Sequence, residues 1–196
     1  MEEIHLLNNR YQLHTLIGRG GMAMVFNGLD LMLERDVAVK VLREELAADP
    51  ERLRRFEQEA QAVAALSHPN ILAIKNADHV DGLFVIAYPL GECTLAERMA
   101  QRLPLRTTLE YIRQMLAAVA YAHRKRVLHC DIKPENFILF GDGTLKLTDF
   151  GIAKVALRTR TIMGSGQGTV GYIAPEQAMG KPSFRSDVFS LGLLIY

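Results

Sequence analysis

Apolar and polar residues alternate along much of the first ninety positions, and the alternation predicts strands. Tyr11, Leu13, Thr15 and Ile17 recur at every second position and predict a strand over 11–17. A second strand begins near Met24, after a glycine-rich turn. Asp36-Val37-Ala38-Val39-Lys40-Val41 predicts an apolar strand carrying one lysine. Ile71 to Ile74 and Leu83 to Ile86 predict two more, with a turn at Asp81-Gly82. Between these runs the period becomes helical: Leu53, Phe56, Ala60, Val63 and Ala64 lie on one face, with Asp49 as N-cap and Pro50 in the first helical position. Five strands and one helix form a small amino-terminal unit.

Past residue 90 helical spacing dominates. Thr94 to Met99 predicts a short helix, and Leu109 to His123 a longer one with Leu109, Ile112, Leu116, Val119 and Ala120 inward. Phe137 to Phe140 predicts a strand that pairs with Leu145 to Leu147 across Gly141-Asp142-Gly143. From Asp149 to Glu176 apolar periodicity fades, and loops of that length are usually functional or disordered. Asp187 to Tyr196 is apolar on nearly every side, the pattern of a helix buried all round.

Composition narrows the function classes. In 196 residues, 49% hydrophobic content suffices for a core, in one domain or two small lobes. A formal net charge of +1 gives no field that would favour nucleic acid or a membrane surface. No apolar run approaches the ~20 residues of a membrane span. The start, Met1-Glu2-Glu3-Ile4, lacks a signal-peptide pattern. Cys93 and Cys130 lie far apart without metal spacing and read as reduced thiols, so a cytoplasmic location is expected.

The candidate chemistry sits in His129-Cys130-Asp131-Ile132-Lys133-Pro134-Glu135-Asn136. Asp131 can accept a proton from a hydroxyl nucleophile, Lys133 can neutralise charge on a phosphoryl group, and Asn136 offers a hard oxygen suited to Mg²⁺. Pro134 forbids a regular helix and holds these groups on a rigid loop. A second acid follows in Asp149-Phe150-Gly151. The turn Gly18-Arg19-Gly20-Gly21-Met22-Ala23-Met24-Val25 would let backbone approach a triphosphate, although a plain hairpin explains glycines there equally well. A lysine inside an apolar strand is costly unless paired, so Lys40 either lies on an edge strand facing water or meets an anion.

Together these motifs resemble the protein-kinase family, specifically its serine/threonine branch in a bacterial form, whose signature set is a known template. The resemblance implies an α+β, two-lobed fold: a small β-rich N-lobe over 11–86, a hinge over 87–91, and a mainly helical C-lobe over 92–196 that is incomplete because the chain stops at Tyr196. It implies transfer of the ATP γ-phosphate to protein serine or threonine hydroxyls, the alternative being an ATP-binding or scaffolding pseudokinase. Gly18, Arg19, Gly20, Gly21, Met22, Ala23 and Met24 would cover the phosphates, with Ala23 where a third glycine is usual. Lys40 would anchor them, braced by Glu59, while Glu57 would be solvated. Ile17, Val25, Ala38 and Ile138 would enclose adenine, and Tyr88 and Leu90 would line the hinge; Pro89 has no N–H to donate. The gatekeeper is Ile86 or Ala87. Asn136 and Asp149 would hold Mg²⁺. Asp131 would be the base, with Lys133 and Thr169 beside it. The segment from Asp149 would close at Ala174-Pro175-Glu176, and Asp187 would brace the backbone around His129. Cys130 stands where most of the family has arginine, which implies weak dependence on segment phosphorylation; Lys154 and Arg55 would form a reduced cationic pocket. The expected partners are ATP and protein substrates, not nucleic acid. The missing helices would leave Glu176 unpaired and the C-lobe open to self-association.

Overall fold

The computed structural model of the chain describes residues 5–7, 9–20, 23–42, 49–80, 82–150 and 170–196. Its contacts divide into two compact units, Met1–Ala64 with Ala73–Leu90, and Ala65–Leu72 with Gly91–Tyr196.

The first unit is built on a six-stranded sheet. In chain order its strands are β1 (His5–Leu7), β2 (Tyr11–Arg19), β3 (Ala23–Asp30), β4 (Arg35–Leu42), β5 (Asn76–Val80) and β6 (Leu83–Pro89), and their spatial order is β1-β2-β3-β4-β6-β5. All the pairings are antiparallel. Period-2 alternation divides β4 between two faces. Val37, Val39 and Val41 point into a core shared with Leu7, Tyr11, Leu13, Val80, Val85 and Ala87, while Ala38 and Lys40 take the other face. Tyr11 is fully buried, and its hydroxyl accepts a bond from the Asn76 side-chain amide at 3.1 Å. At Gly28 a β-carbon would lie 2.6 Å from the Gln12 carbonyl oxygen, so β2 and β3 approach closely only because no side chain is there. Helix α1 (Pro50–Ala64) starts as its sequence dictates: the Asp49 carboxylate accepts the Glu51 N–H at 3.0 Å.

Two expectations for this unit need correction. Ile71 to Ile74 is not a strand. Only Ile71 forms a single parallel bridge, to Leu147, and the strand before the turn is the polar Asn76–Val80. β5 lies at the sheet edge, where little burial is demanded of its residues, so it lacks the apolar signature sought in the sequence. Strand β1 at the opposite edge was not anticipated because its three residues are too few for an alternation to register. Glu57 is not simply solvated; its carboxylate meets His79 Nε2 at 2.9 Å.

In the second unit, β7 (Cys93–Thr94), β8 (Phe137–Leu139) and β9 (Leu145–Leu147) form a three-stranded sheet in that order. Helix α2 (Leu95–Met99) is capped by Thr94, whose side chain and Glu97 exchange bonds in a capping box. Helix α3 (Leu105–Arg124) packs against β9 and against the later helix α5 (Phe184–Ile195). Gly143 takes a positive φ of 77° in the turn joining β8 to β9.

The inward face of α3 differs from the one its apolar spacing suggested. Tyr111, Gln114, Met115, Ala118, Val119 and Ala122 are buried, whereas Leu109 and Leu116 are 57% and 49% exposed and Ala120 is exposed too. Both stripes have helical spacing, so periodicity alone could not choose between them. The choice follows from a buried polar task. Gln114 Oε1 accepts from Asn70 Nδ2 at 2.7 Å and from the Leu145 N–H at 2.7 Å, and its Nε2 donates to the Gly143 carbonyl at 3.2 Å. Gln114 thereby stitches the β8–β9 hairpin and the Asn70 segment to the helix.

His68 sets that segment. Its Nδ1 accepts the Asn70 N–H at 3.1 Å, and its ring lies 4.9 Å from the Tyr121 ring. Burial holds the imidazole below its ordinary value of 6.5, and the Arg124 cation adds to the effect. A histidine with a lowered folded-state pKa favours the neutral form, so its contribution to stability is present above about pH 6.5 and is lost as pH falls toward the folded-state value. Thermal melts of the wild type and of His68→Asn between about pH 7.5 and about pH 5.5 should show the wild-type midpoint falling more steeply. Parallel curves would exclude His68 as a source of acid sensitivity.

Candidate active site

The loop after α3 is shaped by where its buried polar groups find partners. His129 is buried and bonded on both ring nitrogens: Nδ1 accepts the Asp131 N–H at 3.2 Å, and Nε2 donates to the Thr148 carbonyl at 2.8 Å. Those two bonds define a neutral ring protonated on Nε2. The imidazole therefore links the backbone beside one acid, Asp131, to the residue before the other, Asp149. The Asn136 carbonyl adds a second tie by accepting the Thr148 N–H at 2.9 Å. The Phe150 ring is fully buried, with its centroid 4.6 Å from that of His129.

Cys130 has a φ of 62° and Asp149 a φ of 58°, the left-handed region that residues with a β-carbon seldom enter. At Cys130 the conformation is held by a carboxylate from α5. Asp187, 1% exposed, accepts the His129 N–H through Oδ2 at 2.9 Å and the Cys130 N–H through Oδ1 at 2.8 Å. Its Oδ2 also accepts His123 Nε2 at 2.8 Å. The expected bracing by Asp187 is thus present. Asp187 is not the N-cap of its helix, because Ser183 fills that role in a capping box with Ser186.

After the left-handed residue the chain enters a short 3₁₀ turn at Pro134–Asn136, started by the fixed φ of Pro134. The turn brings three of the candidate side chains together. Asn136 Nδ2 donates to the Asp131 carbonyl at 2.7 Å and to Asp131 Oδ2 at 2.9 Å. Lys133 Nζ lies 3.4 Å from the same Oδ2. Because its nitrogen is spent on Asp131, the Asn136 amide is oriented by its neighbours, and its oxygen is the atom suited to a hard cation.

A shallow recess opens beside this constellation, lined by Asp131, Lys133, Tyr172, Ile173, Gln177 and Ser190 among others. Helix α4 (Pro175–Ala178) contributes Gln177. Glu176, on the same helix, is not the unpaired acid expected: the Ser186 hydroxyl donates to it at 2.6 Å and holds its carboxyl below the ordinary range. The sequence reading missed Gln177 and Thr148 entirely. They reach this loop through main-chain bonds across long separations, for which no local motif exists.

In the first unit, Val25, Ala38, Lys40, Ile86 and Tyr88 share a sheet face. Lys40 pairs in register with Val25 on β3 and Ile86 on β6, and Ala38 with Asn27 and Tyr88. Lys40 is therefore on an interior strand and not at an edge. Directly opposed residues point to the same side, so Ile86 shares the Lys40 face and Ala87 lies on the core face. Ile17 falls at an irregularity between Leu16 and Gly18 in the β2–β3 register and is 52% exposed. Gly18 pairs with Val25, Arg19 pairs with Met24, and the Gly20 N–H donates to the Ala23 carbonyl at 2.9 Å. Leu90 follows the end of β6, and Ile138 is the middle residue of β8 in the second unit. Gly21, Met22, Lys154 and Thr169 lie outside the described residues, as do the side chains of Arg55 and Glu59.

Comparison with known proteins agrees with this geometry. The protein kinase domain family matches residues 11–196. The chain is 39% identical to the serine/threonine-protein kinase PrkC of Bacillus subtilis, covering 97% of this chain and 30% of that protein. It is 40% identical to the serine/threonine-protein kinase PknA of Mycobacterium tuberculosis, over 97% of this chain and 46% of that protein. Its fold is similar to a crystal structure of the M. tuberculosis PknI kinase domain, with a TM-score of 0.74 and 28% identity, covering all of this chain and 74% of that one. The chain thus spans less than half of the length of each of these two curated relatives.

The Asp187 bonds predict a measurable cost. Asp187→Asn turns an NH₂ group toward donors that need an acceptor, so the unfolding free energy should fall by about 2–4 kcal/mol in urea titration. A loss below about 0.5 kcal/mol would mean that these bonds are replaceable.

Proposed function

The chain belongs to the protein kinase family, and we propose that it transfers the γ-phosphate of ATP to serine and threonine hydroxyls of protein substrates. The observation that carries this reading is the bonded set of Asp131, Lys133 and Asn136 on one rigid turn, tied through Thr148 to Asp149.

Asp131 is assigned as the base that orients the acceptor hydroxyl and takes its proton. Its carboxylate is already directed by the Asn136 amide, so little reorganisation is needed when the acceptor arrives. Lys133 is assigned to offset charge that develops on the transferred phosphoryl group, and Thr169 to the acceptor side with it. In the first unit, Lys40 is assigned to the phosphates, helped by the main chain of Gly18, Arg19, Gly20, Gly21, Met22, Ala23 and Met24, and supported by Glu59. Ile17, Val25, Ala38, Tyr88, Leu90 and Ile138 are assigned to the base and ribose. Ile86, on the Lys40 face of β6, is assigned as the residue behind the adenine.

Mg²⁺ fits the donor chemistry of Asn136 and Asp149, two hard oxygen ligands that leave positions for water and phosphate oxygens, and when bound it would supply charge neutralisation. A nucleotide-binding scaffold without turnover is not favoured, since Lys40, Asp131, Asn136 and Asp149 are all present. Among the described residues no helix is long and apolar enough to cross a membrane. The domain is assigned to the cytoplasm, where ATP is available.

Radiolabelled ATP with generic protein substrates tests the reading. Lys40→Met and Asp149→Asn should each abolish transfer, and removal of Mg²⁺ by a chelator should stop turnover until Mg²⁺ is restored in excess. Near-wild-type turnover in either variant would sink the assignment. Asp131→Asn should reduce kcat by about 10²–10⁴-fold with little change in the KM for ATP. A raised KM with unchanged kcat would place Asp131 at the nucleotide instead.

A further inference from the structure

One buried side chain at the catalytic loop has no part in the roles above. Gln177 is 6% exposed, and its Nε2 donates to the Cys130 carbonyl at 2.6 Å. A carbonyl can only accept, so the contact fixes which end of the amide faces it.

The Cys130 carbonyl and the Asp131 N–H belong to one peptide plane. Gln177 holds the carbonyl end, and His129 Nδ1 holds the N–H end at 3.2 Å. The preceding peptide plane is held separately, where Asp187 Oδ1 accepts the Cys130 N–H at 2.8 Å. With the planes on both sides of Cys130 gripped, its two backbone torsions are determined, including the φ of 62°. The direction in which Asp131 leaves the backbone is then set. Rotation of that plane would carry the Asp131 carboxylate away from Asn136 Nδ2, now at 2.9 Å, and from Lys133 Nζ, now at 3.4 Å.

Gln177 is itself anchored. Its carbonyl accepts the Gly180 N–H at 3.0 Å, and its neighbour Glu176 bonds Ser186 on α5 at 2.6 Å. Asp187 lies one residue further along α5, so both grips on Cys130 share one base. We propose that Gln177 is a positioning residue for phosphoryl transfer, holding the Cys130–Asp131 peptide in the orientation that aims the Asp131 carboxylate at the acceptor hydroxyl. The proposal rests on the phosphotransfer reading above and adds a residue that acts through the Cys130–Asp131 backbone.

Two variants of the purified protein test it. Gln177→Met keeps the side-chain length and removes the donor. It should lower kcat toward a protein substrate by about tenfold to a hundredfold, with the KM for ATP within about twofold of wild type. Gln177→Glu places a carboxyl against the carbonyl, where it can donate only when protonated, and burial raises the pKa of such a group. Its kcat relative to wild type should therefore rise as the pH is lowered from about 8 to about 6. A purely structural role would reduce the amount of folded enzyme and leave that ratio flat. Equal kcat values, or a flat ratio, would overturn the proposal. Amide hydrogen exchange gives a readout that needs no turnover: the Asp131 amide should exchange faster in Gln177→Met than in wild type, and an unchanged rate would overturn the grip. Failure of the wild type to phosphorylate any protein would count against the function, while the exchange rates would still decide the role of Gln177.

Discussion

The second unit depends on one buried carboxylate. Asp187 accepts two adjacent backbone N–H groups, from His129 and Cys130, and the His123 ring as well. Those N–H groups lie where the chain turns through a left-handed residue, so neither a helix nor a sheet ladder can satisfy them. Without an acceptor they would be buried donors with no partner, at a cost of about 1–3 kcal/mol each. Burying a carboxylate is also costly, but three donors offset the penalty, and the charge makes each bond stronger than a neutral one. The result ties α5 to the loop that carries Asp131, Lys133 and Asn136.

From that point order spreads along the main chain. His129 is fixed by its neighbours and in turn fixes Thr148, next to Asp149. Asn136 fixes Asp131 with its side chain and Thr148 with its carbonyl. The side chains of Asp131 and Asn136 thus project from backbone that these bonds hold in place. This suits a reaction in which the protein supplies position and charge and little covalent chemistry. In the first unit β4 applies a similar logic by simpler means. Its valines secure one face in the core, which leaves Lys40 on the other face of an interior strand. A lysine on an interior strand is costly unless an anion meets it, which is the reason it stands out from the valines around it.

The elements easiest to read in the sequence were those whose signal is local. The alternation in β2 and β4, the Asp49-Pro50 start of α1 and the hairpin between β8 and β9 all lay close to their predicted places. The motif put Asp131, Lys133 and Asn136 on one loop, and their side chains do meet there. The errors arose where a distant partner decides. The strand expected at Ile71–Ile74 belonged to Asn76–Val80, because an edge strand need not be apolar while Ile71 and Leu72 are buried in the other unit. The inward face of α3 was set by Gln114 and its bonds to Asn70, Gly143 and Leu145, not by the larger leucines. Gln177 was invisible for the same reason: its partner is 47 positions away and is a backbone carbonyl, which carries no residue identity.

That last point explains how cysteine can occupy position 130. The bonds from Asp187 and Gln177 both go to main-chain atoms. Neither depends on the side chain at that position, which is buried and small. The left-handed turn is therefore imposed on residue 130 from outside, at a strain of about 1–3 kcal/mol that the surrounding bonds offset. A residue held in this way can change its side chain without redirecting Asp131, provided the new one can be accommodated. Cysteine in place of the arginine usual in the family removes a cation, yet it leaves the main-chain bonds beside Asp131 in place. The bonds that shape this turn fall on the main chain of residue 130 and do not depend on its side chain.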